Sequence, residues 1–143
     1  MTIFINPASP TNGVGSLIDP KNVWPTSGAF VPGNTYLQME GTTAVGTVTC
    51  NVDSSAAPPM VFGTYEPLTG RQLTGTSRRA AINGNGGDRG LFLQEAAKNI
   101  IVDSLEVHNA KLRGIHKDTT GQSVSLYAGV TIRNCDVHDV RFA

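Results

Sequence analysis

The chain has 143 residues, with eleven basic and eleven acidic side chains and a formal net charge of zero. Charged residues make up 15%, below the usual ~25%, so there is neither the basic footprint of a nucleic-acid binder nor a basic anchor for membranes. No apolar run approaches the ~18 residues of a membrane-spanning helix, and the length suits one domain with a real core.

Sixteen glycines and eight prolines, with many Thr, Asn and Ser, point to short strands and many turns rather than helices. The first residues, MTIFINPASPTNG, have no basic n-region or long apolar h-region, so no signal peptide is expected. Cys50 and Cys135 lie in strand-like runs, TVTCNV and RNCDV, and read as small buried thiols rather than a disulfide framework.

In chain order, TIFI is a short strand. The segment after it, through Asn34, is dense in Pro and Gly and leaves room for at most a turn or two of helix around 16–23. From Thr35 onward short apolar runs recur between polar, Gly-rich turns: TYLQM, GTVTCNV, MVFGTY, RAAING, GLFL, NIIV, LEVH, GIHK, VSLY, VTI and CDVH. None has sustained helical periodicity; in LFLQEAAKNI, Leu91, Ala96 and Ile100 make no clean apolar stripe.

Residues 99–112, NIIVDSLEVHNAKL, are written again at 129–142, GVTIRNCDVHDVRF, thirty residues on. Ile100 and Val102 read as inward on a period of two; parity breaks at Asp103–Ser104, and Leu105 and Val107 resume it. The later copy does the same with Val130, Ile132, Cys135 and Val137. A phase slip at the same place in both predicts a bend between two short strands, which Ser104 and Asn134 suit. A period near thirty with three short strands marks a solenoid, whose copies bury their inward residues only by stacking.

These residues resemble the right-handed parallel β-helix, or pectate-lyase-like, family. FINPASPTNGVGS resembles the family's opening segment, FVPGNTYLQMEGTT its first coil, and MVFGTYEPLTGRQLTGTSRRAAINGNG with GLFLQEAAKNIIVDSLEVHNA its second. GVTIRNCDVHDV has the family's rhythm. The resemblance implies an all-β solenoid of about three coils, with an opening strand and capping loop over 1–34 and coils over 35–143. Members include polysaccharide lyases, hydrolases and bacteriophage tailspikes, and fold alone does not choose among them. Residues 6–18 carry no acidic side chain, against the pattern of secreted members, so no calcium site is expected there.

Outward residues form ladders in the same register: Asp103–Arg133, Glu106–Asp136, His108–His138 and Lys111–Arg141. The first reads as a surface ion pair. The second sets two carboxylates about 5 Å apart, repulsive unless a proton or a cation such as Ca²⁺ lies between them. Glu106, His108, Asp136 and His138 are therefore the centre of a candidate glycan- or cation-binding face. The alternative is that solenoid strands repeat outward residues and solvent screens them. A two-histidine ladder is no metal motif without a third ligand.

RGIHKD (113–118) adds Arg113 and Lys117. Lyases of the resembling family use a basic residue as proton abstractor, often beside Ca²⁺, and Arg113 or Lys117 would take that role; otherwise the segment is a solvated turn. Trp24, Tyr36, Tyr65 and Tyr127 are candidates to stack on sugar rings, with Trp24 the better plug over the first coil. NGNGGDRG lacks the Lys-Ser/Thr and the helix of a phosphate loop.

The function expected from the resemblance and the missing leader is a phage virion protein of tailspike type. It would be made in the host cytoplasm, assemble as a homotrimer with other tail proteins, and engage bacterial surface polysaccharide without nucleic acid or membrane insertion. The alternatives are a secreted lyase or hydrolase and a purely structural segment. No catalytic set is complete, and no cofactor is expected beyond Ca²⁺. Because residues 129–142 end on an unfinished coil, the chain is expected to continue past Ala143 or to be covered there by another chain.

Overall fold

The computed structural model describes residues 1–75, 78–118 and 129–141. Among them the chain is all-β, and the segment 16–23 forms bends and one isolated bridge rather than helix. The strands are β1 (Thr2–Ile5), β2 (Thr35–Met39), β3 (Thr43–Val45), β4 (Val48–Cys50), β5 (Met60–Tyr65), β6 (Gln72–Leu73) and β7 (Ala80–Asn83). They continue with β8 (Arg89–Leu93), β9 (Ile100–Asp103), β10 (Leu105–His108), β11 (Arg113–Lys117), β12 (Val130–Arg133) and β13 (Asp136–His138). The run VSLY lies outside the described residues.

Three sheets share these strands. One runs β1-β2-β5-β9-β12, the second β3-β7-β10-β13 and the third β4-β8-β11. All neighbours pair parallel except β6, which lies antiparallel on β5. The chain visits the sheets in turn, so β2–β4, β5–β8 and β9–β11 are three successive passes and β12–β13 begin another. The spacing of thirty is not general. Thr35 faces Val61, Met60 faces Ile100 and Ile100 faces Val130, steps of 26, 40 and 30 residues. The longest step carries the excursion that contains β6, where Glu66 and Arg71 close a local turn.

The corners explain why residues 99–142 repeat so closely. Asn99 and Gly129, Ser104 and Asn134, and Asn109 and Asp139 all have positive φ, between 52° and 100°. Each pair is thirty residues apart, so both passes turn at equivalent places. A left-handed backbone costs an ordinary L-residue ~1–2 kcal/mol, and Asn and Asp bear it best because their short side chains bond locally. The predicted bend at Ser104 and Asn134 is therefore present.

The core is the column of inward residues. Ile100, Val102, Leu105 and Val107 have no exposed surface, nor do Met60, Phe62, Ile82, Leu91 and Leu93 beneath and beside them. Each such side chain contributes about 1.5–3 kcal/mol of transfer free energy. The second copy differs: Ile132 and Val137 are 48% and 45% exposed. They lie on β12 and β13, which have a neighbour on one side only among the described residues.

At the other end, Trp24, Phe30, Tyr36 and Phe62 pack edge to face or tilted, with ring centroids 4.9–5.9 Å apart. Trp24 Nε1 donates to Gln38 Oε1 at 2.6 Å, and Gln38 Nε2 donates to the carbonyls of Thr42 and Ala81. This is the plug expected of Trp24. Sugar stacking by Trp24, Tyr36 and Tyr65 is ruled out by their burial; Tyr127 lies outside the described residues.

Candidate functional site

Glu106 and His108 sit two apart on β10, so alternation puts both on the outer side while Leu105 and Val107 point inward. On the adjoining strand Asp136 faces Glu106 and His138 faces His108. The expected ladder is present, but its chemistry differs from the sequence expectation. Glu106 turns to the histidines rather than to Asp136: its Oε1 lies 3.2 Å from His108 Nδ1 and 3.1 Å from His138 Nε2. The two imidazole rings meet edge to face, 5.2 Å apart. His138 Nδ1 in turn lies 3.0 Å from Asp139 Oδ2. The hydrogen bonds to Asp139 and Glu106 raise the His138 pKa above its ordinary value.

His108 is half-buried, and its Nε2 is shut off from water with no hydrogen-bond partner among the described residues. Glu106, His108 and His138 each offer one ligand atom, and the three atoms lie within 4.8 Å of one another. The third ligand that the two-histidine ladder lacked is thus the carboxylate two residues before His108.

Asp103 and Arg133 face each other as expected, but not as a surface pair. Asp103 has no exposed surface. Its carboxylate accepts from Ser104 Oγ at 2.9 Å, Arg133 Nε at 2.9 Å and Asn134 Nδ2 at 3.0 Å. Burial alone would raise its pKa; the bonds from Asn134, Ser104 and Arg133 together outweigh burial and hold it below the ordinary carboxylate value. The corner turn at Ser104 carries the carboxylate under Arg133 and Asn134, which simple strand alternation does not reveal. It is a structural group.

Arg113 and Lys117 lie on β11, in a different sheet from Glu106 and the two histidines. Lys117 Nζ donates to three carbonyls, those of Gln94, Glu95 and Asp118, at 2.8–2.9 Å. An ammonium so engaged has all three protons committed and is poorly placed to abstract one. Burial lowers its pKa, with Asp118 and Glu95 opposing.

Arg113 belongs to a second cluster that the sequence did not disclose. Phe92 faces His116 across β8 and β11, and the rings stack at 5.3 Å with 6° between their planes. Arg89 lies over the Phe92 ring, 4.2 Å from its centroid, and its Nε donates to His116 Nδ1 at 2.7 Å. Arg113 Nη1 lies 2.9 Å from His116 Nε2. Burial and then the charges of Arg113 and Arg89 lower the His116 pKa. Among the described residues no carboxylate pairs with either guanidinium. The signal was alternation in RGLFL, where Leu91 and Leu93 point in and Phe92 must point out.

Both cysteines are free thiols. Cys50 is fully buried, and burial pushes its pKa up to about 11. Cys135 is half-buried, with its pKa also raised by burial. Neither environment favours a reactive thiolate. Among the described residues no helix is long and apolar enough to cross a membrane. The chain matches no family model, no curated protein and no solved structure.

Proposed function

We propose that the chain is a right-handed parallel β-helix that engages bacterial surface polysaccharide, as a bacteriophage virion protein of tailspike type. The support for the fold is the resemblance of its runs to that family and the repeated passage of the chain through three parallel sheets. The observation that carries the binding function is the Phe92–His116 platform flanked by Arg89 and Arg113. The outer edge of this half-buried ring pair packs against a sugar. Two guanidiniums without acidic partners among the described residues recognise a carboxylate or sulfate in bidentate geometry. The polysaccharide is therefore an acidic one. In this role the chain assembles as a homotrimer with other tail proteins, in the cytoplasm of the host.

The test is calorimetric titration of the chain with uronate-bearing and neutral bacterial polysaccharides. Binding to the acidic class, weakened roughly tenfold by Phe92→Ala and also by Arg113→Ala, is the expected result. Equal affinity for both classes, or indifference to both substitutions, sinks the proposal. Growth of ultraviolet absorbance from unsaturated sugar during incubation would move the function to a lyase.

A further inference from the structure

We infer that Glu106, His108 and His138 form a site for a divalent transition metal of the zinc type. Zinc holds nitrogen and carboxylate ligands at about 2.0–2.1 Å in a tetrahedron, which sets ligand atoms roughly 3.3 Å apart. Glu106 Oε1 stands 3.2 Å from His108 Nδ1 and 3.1 Å from His138 Nε2. These two distances match, and all three ligand atoms lie within 4.8 Å of one another on a stiff frame, two positions on one strand and the facing position on its parallel neighbour.

Two further features fit a metal better than a solvated charge cluster. His138 presents its other nitrogen to Asp139 Oδ2 at 3.0 Å, the carboxylate–histidine arrangement that orients metal-bound imidazoles and raises their basicity. His108 turns Nδ1 toward the carboxylate and leaves Nε2 buried without a partner. The ring thus offers Nδ1, not Nε2, to the place an ion would take.

The donor set also selects the metal. Calcium takes six to eight oxygens, and here one carboxylate oxygen stands with two imidazoles, a set suited to zinc, cobalt or nickel. Calcium held between Glu106 and Asp136, the sequence expectation, gives way to a nitrogen-rich site. Three protein ligands leave a fourth position open for water or a ligand hydroxyl. The inference does not rest on polysaccharide binding, and its test uses no glycan.

The test is titration of the purified chain with Co²⁺ and Zn²⁺ alone, read by visible absorption and calorimetry. The expected result is one equivalent bound, with the visible bands of tetrahedral cobalt displaced by zinc. His138→Ala, at an exposed position, and Glu106→Gln should each weaken binding by at least about tenfold with an unchanged circular dichroism spectrum. Cys135→Ser should leave binding intact. Absence of binding, wild-type binding by the His138 and Glu106 variants, or loss on Cys135→Ser overturns the inference. So does a melting-temperature rise with Ca²⁺ that Glu106→Ala abolishes and Zn²⁺ does not reproduce.

Discussion

Gly114 lies directly under Val137: a Cβ added at 114 would stand 2.2 Å from Val137 Cγ1. Gly90 stands in the same relation to Val107, at 2.3 Å. The two glycines are neighbours in the ladder between Arg89–Arg113 and Leu91–Ile115. Both of these passes therefore leave out a side chain so that a valine of the second sheet can fill the space. Gly90→Ala should destabilise by about 1–3 kcal/mol through overpacking. Gly114→Ala should cost less, because Val137 is half-exposed and free to move. Denaturant unfolding of both variants checks the order. Adding Val107→Ala to Gly90→Ala should return part of the loss, which a double-mutant cycle reads directly.

Substitutions along β10 should follow strand parity. Val107→Asp buries an unpaired carboxylate in the column and should cost several kcal/mol or prevent folding. His108→Ala should cost less than about 1 kcal/mol, since the half-buried ring leaves one nitrogen unpaired already. Val137→Asp, which the repeat alone equates with Val107→Asp, should be the milder of the two because Val137 is 45% exposed. Equal melting temperatures for the Val107 and His108 variants would reverse the register.

Asp103 ties the corner of one pass to the next. Its folded pKa is depressed, so its contribution is fully present above the unfolded value of about 3.9 and is lost as pH falls through the folded value. Asn134→Ala removes one of its donors and puts Ala at a φ of 53°. Together these should cost about 2–3 kcal/mol. Part of that difference from wild type should vanish as pH falls below the unfolded value and through the folded one. A constant difference across pH would mean that backbone strain accounts for all of it.

His138 and His116 should titrate on opposite sides of the ordinary value of about 6.5. His138, held by Asp139 and Glu106, is raised; its stabilising effect is complete below 6.5 and fades as pH rises through its folded pKa. His116, pressed by burial and two arginines, is lowered; its folded form loses stability as pH falls below 6.5. Proton-NMR titration resolves the two. Glu106→Gln should lower the His138 value and leave His116 in place.

Much of the architecture was legible in the chain because period-two alternation is a local property. TYLQM, MVFGTY and LEVH coincide with β2, β5 and β10, and the repeat at thirty aligned β9–β10 with β12–β13 residue for residue. The bend at Ser104 and Asn134 was readable for the same reason, since left-handed backbone selects residue types position by position. The strands TAV and QL were missed, being two or three residues long with no alternation to detect. The steps of 26 and 40 residues between earlier passes were also hidden, because a loop can lengthen without disturbing the strands it joins.

The sequence by itself determined which residues alternate, where the chain turns, and that Glu106, His108, Asp136 and His138 share one outer face. Only the tertiary structure decided what those groups do to one another. Side-chain rotation turned Glu106 to the histidines and away from Asp136. A corner drew Asp103 out of solvent under Arg133. Register between β8 and β11, 24 residues apart and alike only in an Arg-Gly pair and the Leu or Ile after it, stacked Phe92 on His116. Alternation specifies a face, whereas partners across strands depend on loop lengths and on the few ångströms through which a side chain can swing.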